Sequence, residues 1–175
     1  MEQLASFEAP LHRFINKIYY YHFKVPDEIV QNFKENNIKR CLCTINDLDP
    51  IHSGLLPAGD GTYYIIVNKE LRAKSGLADG DMATIRFYKD ESDYGIEAPE
   101  EMLELFVQDP VFDNYFHALT PGKRRALLYA VNKIKSPQLR VEKALIIMEH
   151  LQEQRGKLDF KILSQDFKDK KGMLR

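Results

Sequence analysis

Sliding the chain along itself by 42 positions lays Phe23-Lys-Val-Pro-Asp-Glu-Ile29 on Ile65-Ile-Val-Asn-Lys-Glu-Leu71. With no gap, it also lays Arg40-Cys-Leu-Cys-Thr-Ile45 on Met82-Ala-Thr-Ile-Arg-Phe87. Each copy reads strand, short helix, strand. In the first, Pro26-Asp-Glu puts a proline and two acids where the free N–H groups of a helical first turn favour them, and Ile29, Val30 and Phe33 supply the apolar stripe. Arg40–Ile45 then sets Cys41, Cys43 and Ile45 on one face of a strand. The second copy runs from a strand over Thr62–Val67 through a helix over Lys69–Ser75 to a strand over Met82–Tyr88. Two such units either match by coincidence, because helix and loop lengths of this size are common, or form a pseudo-twofold, β-rich body built from a duplicated unit, read here as a small barrel.

The remaining segments extend this frame. Phe14–Val25 predicts an aromatic strand in which Ile18, Tyr20 and His22 alternate with Tyr19, Tyr21 and Phe23, and Ile51–Leu56 predicts a shorter one. After residue 95 the pattern turns helical. Ala98–Phe106 opens with proline and acids, Asp109-Pro110 opens a second helix, and Thr120-Pro121 reads as N-cap and first residue of a third with Leu127, Ala130, Val131 and Ile134 on its stripe. Ser136-Pro137 restarts the chain into a fourth helix whose stripe is Ala144, Ile147, Met148 and Leu151, which makes a helical hairpin. The fold class is therefore α+β: a small β-barrel with an internal pseudo-twofold strand-helix-strand repeat over 1–95, an α-helical subdomain over 96–155, and a tail over 156–175. In the tail Leu158, Phe160 and Ile162 alternate, which predicts an edge strand joining a sheet of its own chain or of a second copy, the latter a homodimer through the tail.

Two resemblances follow from these residues. Ile66-Val-Asn-Lys-Glu-Leu-Arg72, Gly76-Leu77, Asp79-Gly-Asp81 and the alternation from Met82 to Phe87 resemble AbrB-type swapped-hairpin barrels, which are DNA-binding dimers. Here one chain would supply both halves. Asn68 stands where that pattern has proline, and the first copy lacks the Gly-Asp turn, so no DNA-contact surface is carried over. Further on, Leu119-Thr-Pro-Gly-Lys-Arg-Arg125, Ile134-Lys135 and Leu139-Arg140 resemble the helical segment of the YdeI/OmpD-associated, or bacteriocin-protection-like, family of bacterial proteins. In that family the segment follows a small barrel domain of unknown function. The chain departs from the family in having no tryptophan and in carrying Leu139 where threonine is common. The resemblance implies an architecture and, by its label alone, a stress-related role.

Apolar runs such as Ala144–Met148 fall far short of the roughly 20 residues that span a bilayer, and Met1–Glu8 lacks the basic and apolar regions of a signal peptide. A cytoplasmic protein without membrane partners is expected. His12, His22, His52, His117 and His150 are isolated, with no His or Cys partner at metal-ligand spacing, and no glycine-rich phosphate loop or nucleophile elbow occurs. No metal, cofactor or catalytic set is therefore assigned. Cys41 and Cys43 are expected to be reduced, partly buried thiols.

Charge is the remaining signal. Residues 1–120 carry 11 Lys and Arg against 20 Asp and Glu, a net of −9, while 121–175 carry 14 against 6, a net of +8. Such a division points to a partner or to an internal fit. From Asp90 to Asp113 the chain is acidic without a single Lys or Arg. In the basic part, Arg124 and Lys135 lie eleven residues apart and would share one helical face, Arg125 adjoins them, and Arg140 and Lys143 begin the next helix. These five read in three ways: a solvated helical face, partners of the acidic connector from Asp90 to Asp113 within the molecule, or the candidate anion site, for nucleic-acid backbone or a phosphorylated ligand. Two function classes stay open: a non-catalytic binding module using that site, and an enzyme acting in a pocket between barrel and helices.

Overall fold

The computed structural model describes residues 1–14, 21–170 and 172. The chain divides into two compact units, Met1–Glu91 and Ser92–Arg175.

The first unit contains β1 (Gln3–Pro10), β2 (His12–Arg13), β3 (Tyr21–Val25), α1 (Asp27–Glu35), β4 (Cys41–Ile45), β5 (Ile51–Ser53), β6 (Leu56–Pro57), β7 (Tyr63–Val67), α2 (Lys69–Ser75) and β8 (Met82–Lys89). The strands pair antiparallel as two four-stranded sheets, β1-β8-β4-β5 and β2-β3-β7-β6. No strand pairing among the described residues closes them into one barrel. Ile18, Tyr19 and Tyr20 of the expected first strand lie outside the described residues.

The registers carry the 42-residue spacing. In β3–β7 Phe23 faces Ile65, and in β4–β8 Thr44 faces Arg86; both pairs are 42 apart. Two cation–ring contacts cover the first unit: the Lys34 ammonium on α1 sits 4.6 Å from the Tyr63 ring, and the Arg72 guanidinium on α2 sits 4.5 Å from the Tyr21 ring. Tyr21 and Tyr63 are again 42 apart.

The core follows from strand alternation. Ala83, Ile85 and Phe87 of β8 are buried in turn, Cys41, Cys43 and Ile45 line the same core from β4, and Ile29, Val30 and Phe33 cover it from α1. Asn68 caps α2 by accepting the Leu71 N–H at 2.8 Å, which is what asparagine supplies in place of proline. In the turn after α2, Gly76 (φ 67°) and Gly80 (φ 91°) take left-handed backbone, and Asp81 accepts the Ala78 N–H at 2.8 Å. β1 is new relative to the sequence reading: Gln-Leu-Ala-Ser-Phe-Glu-Ala-Pro has small residues and little β-branching, and the segment becomes a strand by pairing with β8 from Gln3 to Pro10.

The second unit is helical: α3 (Glu100–Gln108), α4 (Pro110–Ala118), α5 (Pro121–Asn132), α6 (Pro137–Glu153) and α7 (Phe160–Asp169). Met102, Phe112, Phe116, Leu127, Leu128, Val131, Ala144, Ile147 and Leu151 form its core. The tail is a helix, which corrects the expected edge strand. Asp159 caps α7 by accepting the N–H groups of Lys161 (2.8 Å) and Ile162 (3.2 Å), and Leu163 is buried while Phe167 packs on the same core. With its backbone donors satisfied internally, this segment offers no strand edge, and the strand basis for a tail-mediated homodimer falls away. Among the described residues no helix is long and apolar enough to cross a membrane.

Candidate anion site

The five candidate cations all belong to the second unit, and the fold treats them differently. α5 ends at Asn132, where Lys133 N–H bonds back to the Tyr129 carbonyl (3.1 Å) and Ile134 N–H to that of Val131 (3.0 Å). Lys135 therefore lies in the connection after the helix, exposed, and the expected three-turn alignment with Arg124 does not occur. Arg140, on the first turns of α6, gives both Nε (3.1 Å) and an Nη (2.8 Å) to one carboxylate oxygen of Glu101 on α3. Part of the acidic connector is thus neutralised within the unit. Lys143 sets its ammonium 3.8 Å from the Phe167 ring, and burial, helped by the Lys133 charge, lowers its pKa.

Arg124 and Arg125 remain, together with Lys123, across the first and second turns of α5. The first turn contains no acidic residue, and Thr120, at the N-cap position as expected, makes no side-chain capping bond. Three cations at the positive end of a helix oppose its dipole, an arrangement that an anion would relieve. Arg124 is half-buried, and its Nε is buried with no hydrogen-bond partner among the described residues. The turn itself is open: a Cβ placed on Gly122 would meet nothing within 4 Å. Arg124, Arg125 and Lys135 make no ion pair among the described residues.

Beside Arg124 lies a hydrogen-bonded row of side chains. The Tyr94 hydroxyl is 2.8 Å from Nε2 of His117, and Nδ1 of His117 is 2.8 Å from a carboxylate oxygen of Asp113, one helical turn earlier on α4. With Nδ1–H donating to Asp113, Nε2 accepts the Tyr94 O–H. The Tyr94 pKa is raised by burial and the Asp93 charge, with Arg124 acting in the opposite direction, so the phenol stays protonated near neutral pH. A protonated phenol is a hydrogen-bond donor and a poor nucleophile. This row escaped sequence reasoning, which sought His and Cys partners. The four-residue spacing of Asp113 and His117 was the available signal, whereas Tyr94 is 23 residues from His117.

Cys41 and Cys43 are free and fully buried, and desolvation pushes both thiols up to about 12, out of the range of a nucleophile at neutral pH. Among the described residues no three His, Cys, Asp or Glu side chains gather to hold a metal ion.

Residues 7–87 match the family described as Domain of unknown function (DUF1905), and residues 96–154 match the family described as Bacteriocin-protection, YdeI or OmpD-Associated. No curated protein matches the chain.

Proposed function

We propose that this chain, a DUF1905 domain followed by a segment of the Bacteriocin-protection, YdeI or OmpD-Associated family, is a non-catalytic binding module that holds an anion at the opening of α5. The observation that carries the reading is the uncompensated charge of Lys123, Arg124 and Arg125 on an uncapped helix N-terminus, with the buried Nε of Arg124 lacking a partner among the described residues. Guanidinium forks and free backbone N–H groups together suit a phosphate, of a nucleic-acid backbone or of a phosphorylated ligand. Lys135 adds charge from the α5–α6 connection. Arg140 and Lys143 belong to the scaffold, through Glu101 and Phe167, more than to the ligand.

The finer reading of the first unit goes with this. It is a duplicated strand-helix-strand unit related to AbrB-type barrels, and the 42-residue registers of Phe23–Ile65 and Thr44–Arg86 support the duplication. A cytoplasmic setting suits two unpaired thiols held in an apolar core.

A salt titration against mixed-sequence DNA, RNA and a phosphorylated metabolite tests the site. If both arginines neutralise phosphates on a duplex, Arg124→Ala with Arg125→Ala reduces the slope of log affinity against log salt by roughly 2, at about 0.9 for each phosphate left without its cation. Unchanged affinity and slope in the double variant would eliminate this site.

A further inference from the structure

We infer that the first unit contains a second, separate ligand site: a groove at the C-terminal end of α1 that takes a small organic carboxylate with an apolar body. The groove has a volume of about 370 Å³, near the lower end of the ~300–1,000 Å³ typical of small-molecule sites. Its apolar lining comes from Val30 and Phe33 on α1, Ile38 in the following turn, and Leu55 between β5 and β6, and its wall is the ring of Tyr63 at the start of β7. Val30 and Phe33 are buried, whereas Ile38, Leu55 and Tyr63 keep part of their surface open to the groove.

Charge specifies the other half of the ligand. Lys34 and Lys39 line the groove, are exposed, and make no ion pair among the described residues. Two ammonium groups beside an apolar lining select a molecule with an apolar body and an anionic end. The helix end does not neutralise them, because its last carbonyls are already used: Asn36 N–H bonds to the Asn32 carbonyl (3.0 Å), Asn37 N–H to that of Lys34 (3.1 Å) and Ile38 N–H to that of Phe33 (2.8 Å). Asn37 takes the left-handed backbone (φ 53°) that turns Ile38 and Lys39 along the groove. Gly54 fixes the neighbouring connection closely, since a Cβ there would stand 3.1 Å from the Lys39 carbonyl and 3.0 Å from the Arg40 guanidinium. The positions 42 residues on from Lys34 and Lys39 are Gly76 and Asp81, so the two lysines are no part of what the two copies share.

Tyr63 gives the ligand's body its character. The Lys34 ammonium already lies over that ring, and a flat ring entering between the side chains keeps the cation near an aromatic face while its carboxylate pairs with the ammonium. An aromatic carboxylate is therefore the chemistry that uses every wall.

The test is a titration of the full chain with 2-naphthylacetate, followed by backbone amide NMR, with the isosteric neutral 2-naphthylacetamide alongside. Amide shifts confined to Val30–Lys39, Leu55 and Tyr63 are expected, with the amide probe and the Lys34→Ala, Lys39→Ala double variant each at least about tenfold weaker. Leu55→Trp, which fills the groove, should abolish the shifts while the melting temperature holds. The absence of shifts, their appearance elsewhere, or equal affinity for acid and amide would overturn the assignment. Because none of these residues belongs to the second unit, failure here leaves the α5 site untouched, and the reverse.

Discussion

The two units satisfy their polar groups in different places. In the first, the core is a packing of Phe23, Phe87, Ile65, Ile85 and their neighbours, and side-chain hydrogen bonds such as these run to the main chain: Asp81 to the Ala78 N–H, Asp79 to the Arg13 N–H, Asn68 to the Leu71 N–H, Asn46 to the Thr84 N–H, and Arg86 to the Asn46 carbonyl. In the second, side chains link helices far apart in sequence: Arg140 with Glu101, Gln152 with Asp109 (2.6 Å), and His150 with Asp166 (2.8 Å). The difference has a cause in backbone chemistry. Strands hydrogen-bond to one another through the main chain, so strand pairing itself fixes register; helices spend those bonds internally, and their relative placement is left to packing and side-chain links.

The largest expected effect tests the packing half of this contrast. Phe87 is fully buried, with Phe33 and Phe7 rings at 5.3 and 5.7 Å. Phe87→Ala should cost about 3–5 kcal/mol in urea denaturation. A loss below about 1 kcal/mol would mean that the sheets tolerate a cavity and that their pairing dominates.

Next comes the linking half. His150 is fully buried, with Nδ1 2.8 Å from Asp166 and Nε2 accepting the Asp159 N–H at 3.3 Å. His150→Leu keeps the volume but leaves both partners unsatisfied, and should cost about 1–3 kcal/mol. A neutral or stabilising result would show that the second unit is held by packing alone.

Glu101→Gln should have a smaller effect on stability, about 1 kcal/mol, because a hydrogen bond to Arg140 can persist without the charge. It sharpens the contrast in another way: releasing Arg140 from its ion pair should raise affinity for polyanions and steepen their salt dependence, measured by the same titration as for the arginine variants. If affinity does not change, the α5 site lies out of reach of Arg140.

A β-rich first unit was legible from strand alternation, as at Ala83, Ile85 and Phe87, and a helical second unit from apolar stripes such as Leu127 and Val131. Sequence reasoning missed β1, whose strand state is conferred by β8 rather than by its own residues. It misread the tail because Leu158, Phe160 and Ile162 alternate by accident. Asp159 as an N-cap, followed by Leu163 and Phe167 four apart, was the competing and correct pattern. At the candidate site the arginines of α5 were legible as a basic helix opening. An internal fit between the basic residues and the acidic connector was also legible, and Arg140 with Glu101 is one such pair; which cation pairs depended on the packing of α3 against α6, which no local pattern encodes.

The smallest effect concerns acid. His22 in the first unit stacks on Phe14 (4.0 Å) and meets the edge of Tyr64 (4.4 Å), and its Nδ1 is buried without a partner among the described residues. Burial, then the nearby His12, lower its pKa below the ordinary 6.5, against a weaker opposing effect of Asp79. The unfolded chain therefore binds a proton here more readily than the folded one. This contribution to stability is complete above pH 6.5 and is lost as pH falls through the lower folded value. In the second unit Asp159 is a depressed acid, held below the usual 3.8 by the N–H groups of Ile162 and Lys161, so its contribution is complete above pH 3.8 and is lost only in stronger acid. Between these two windows acid should loosen β3 and β7 while leaving the opening of α7 protected. Amide hydrogen exchange at about pH 7.5 and about pH 5, corrected for intrinsic rates, reads this directly, and His22→Phe should remove the change. Equal loss of protection at the start of α7 over that interval would show that the two units do not differ in their response to acid, and that the protons are taken up elsewhere.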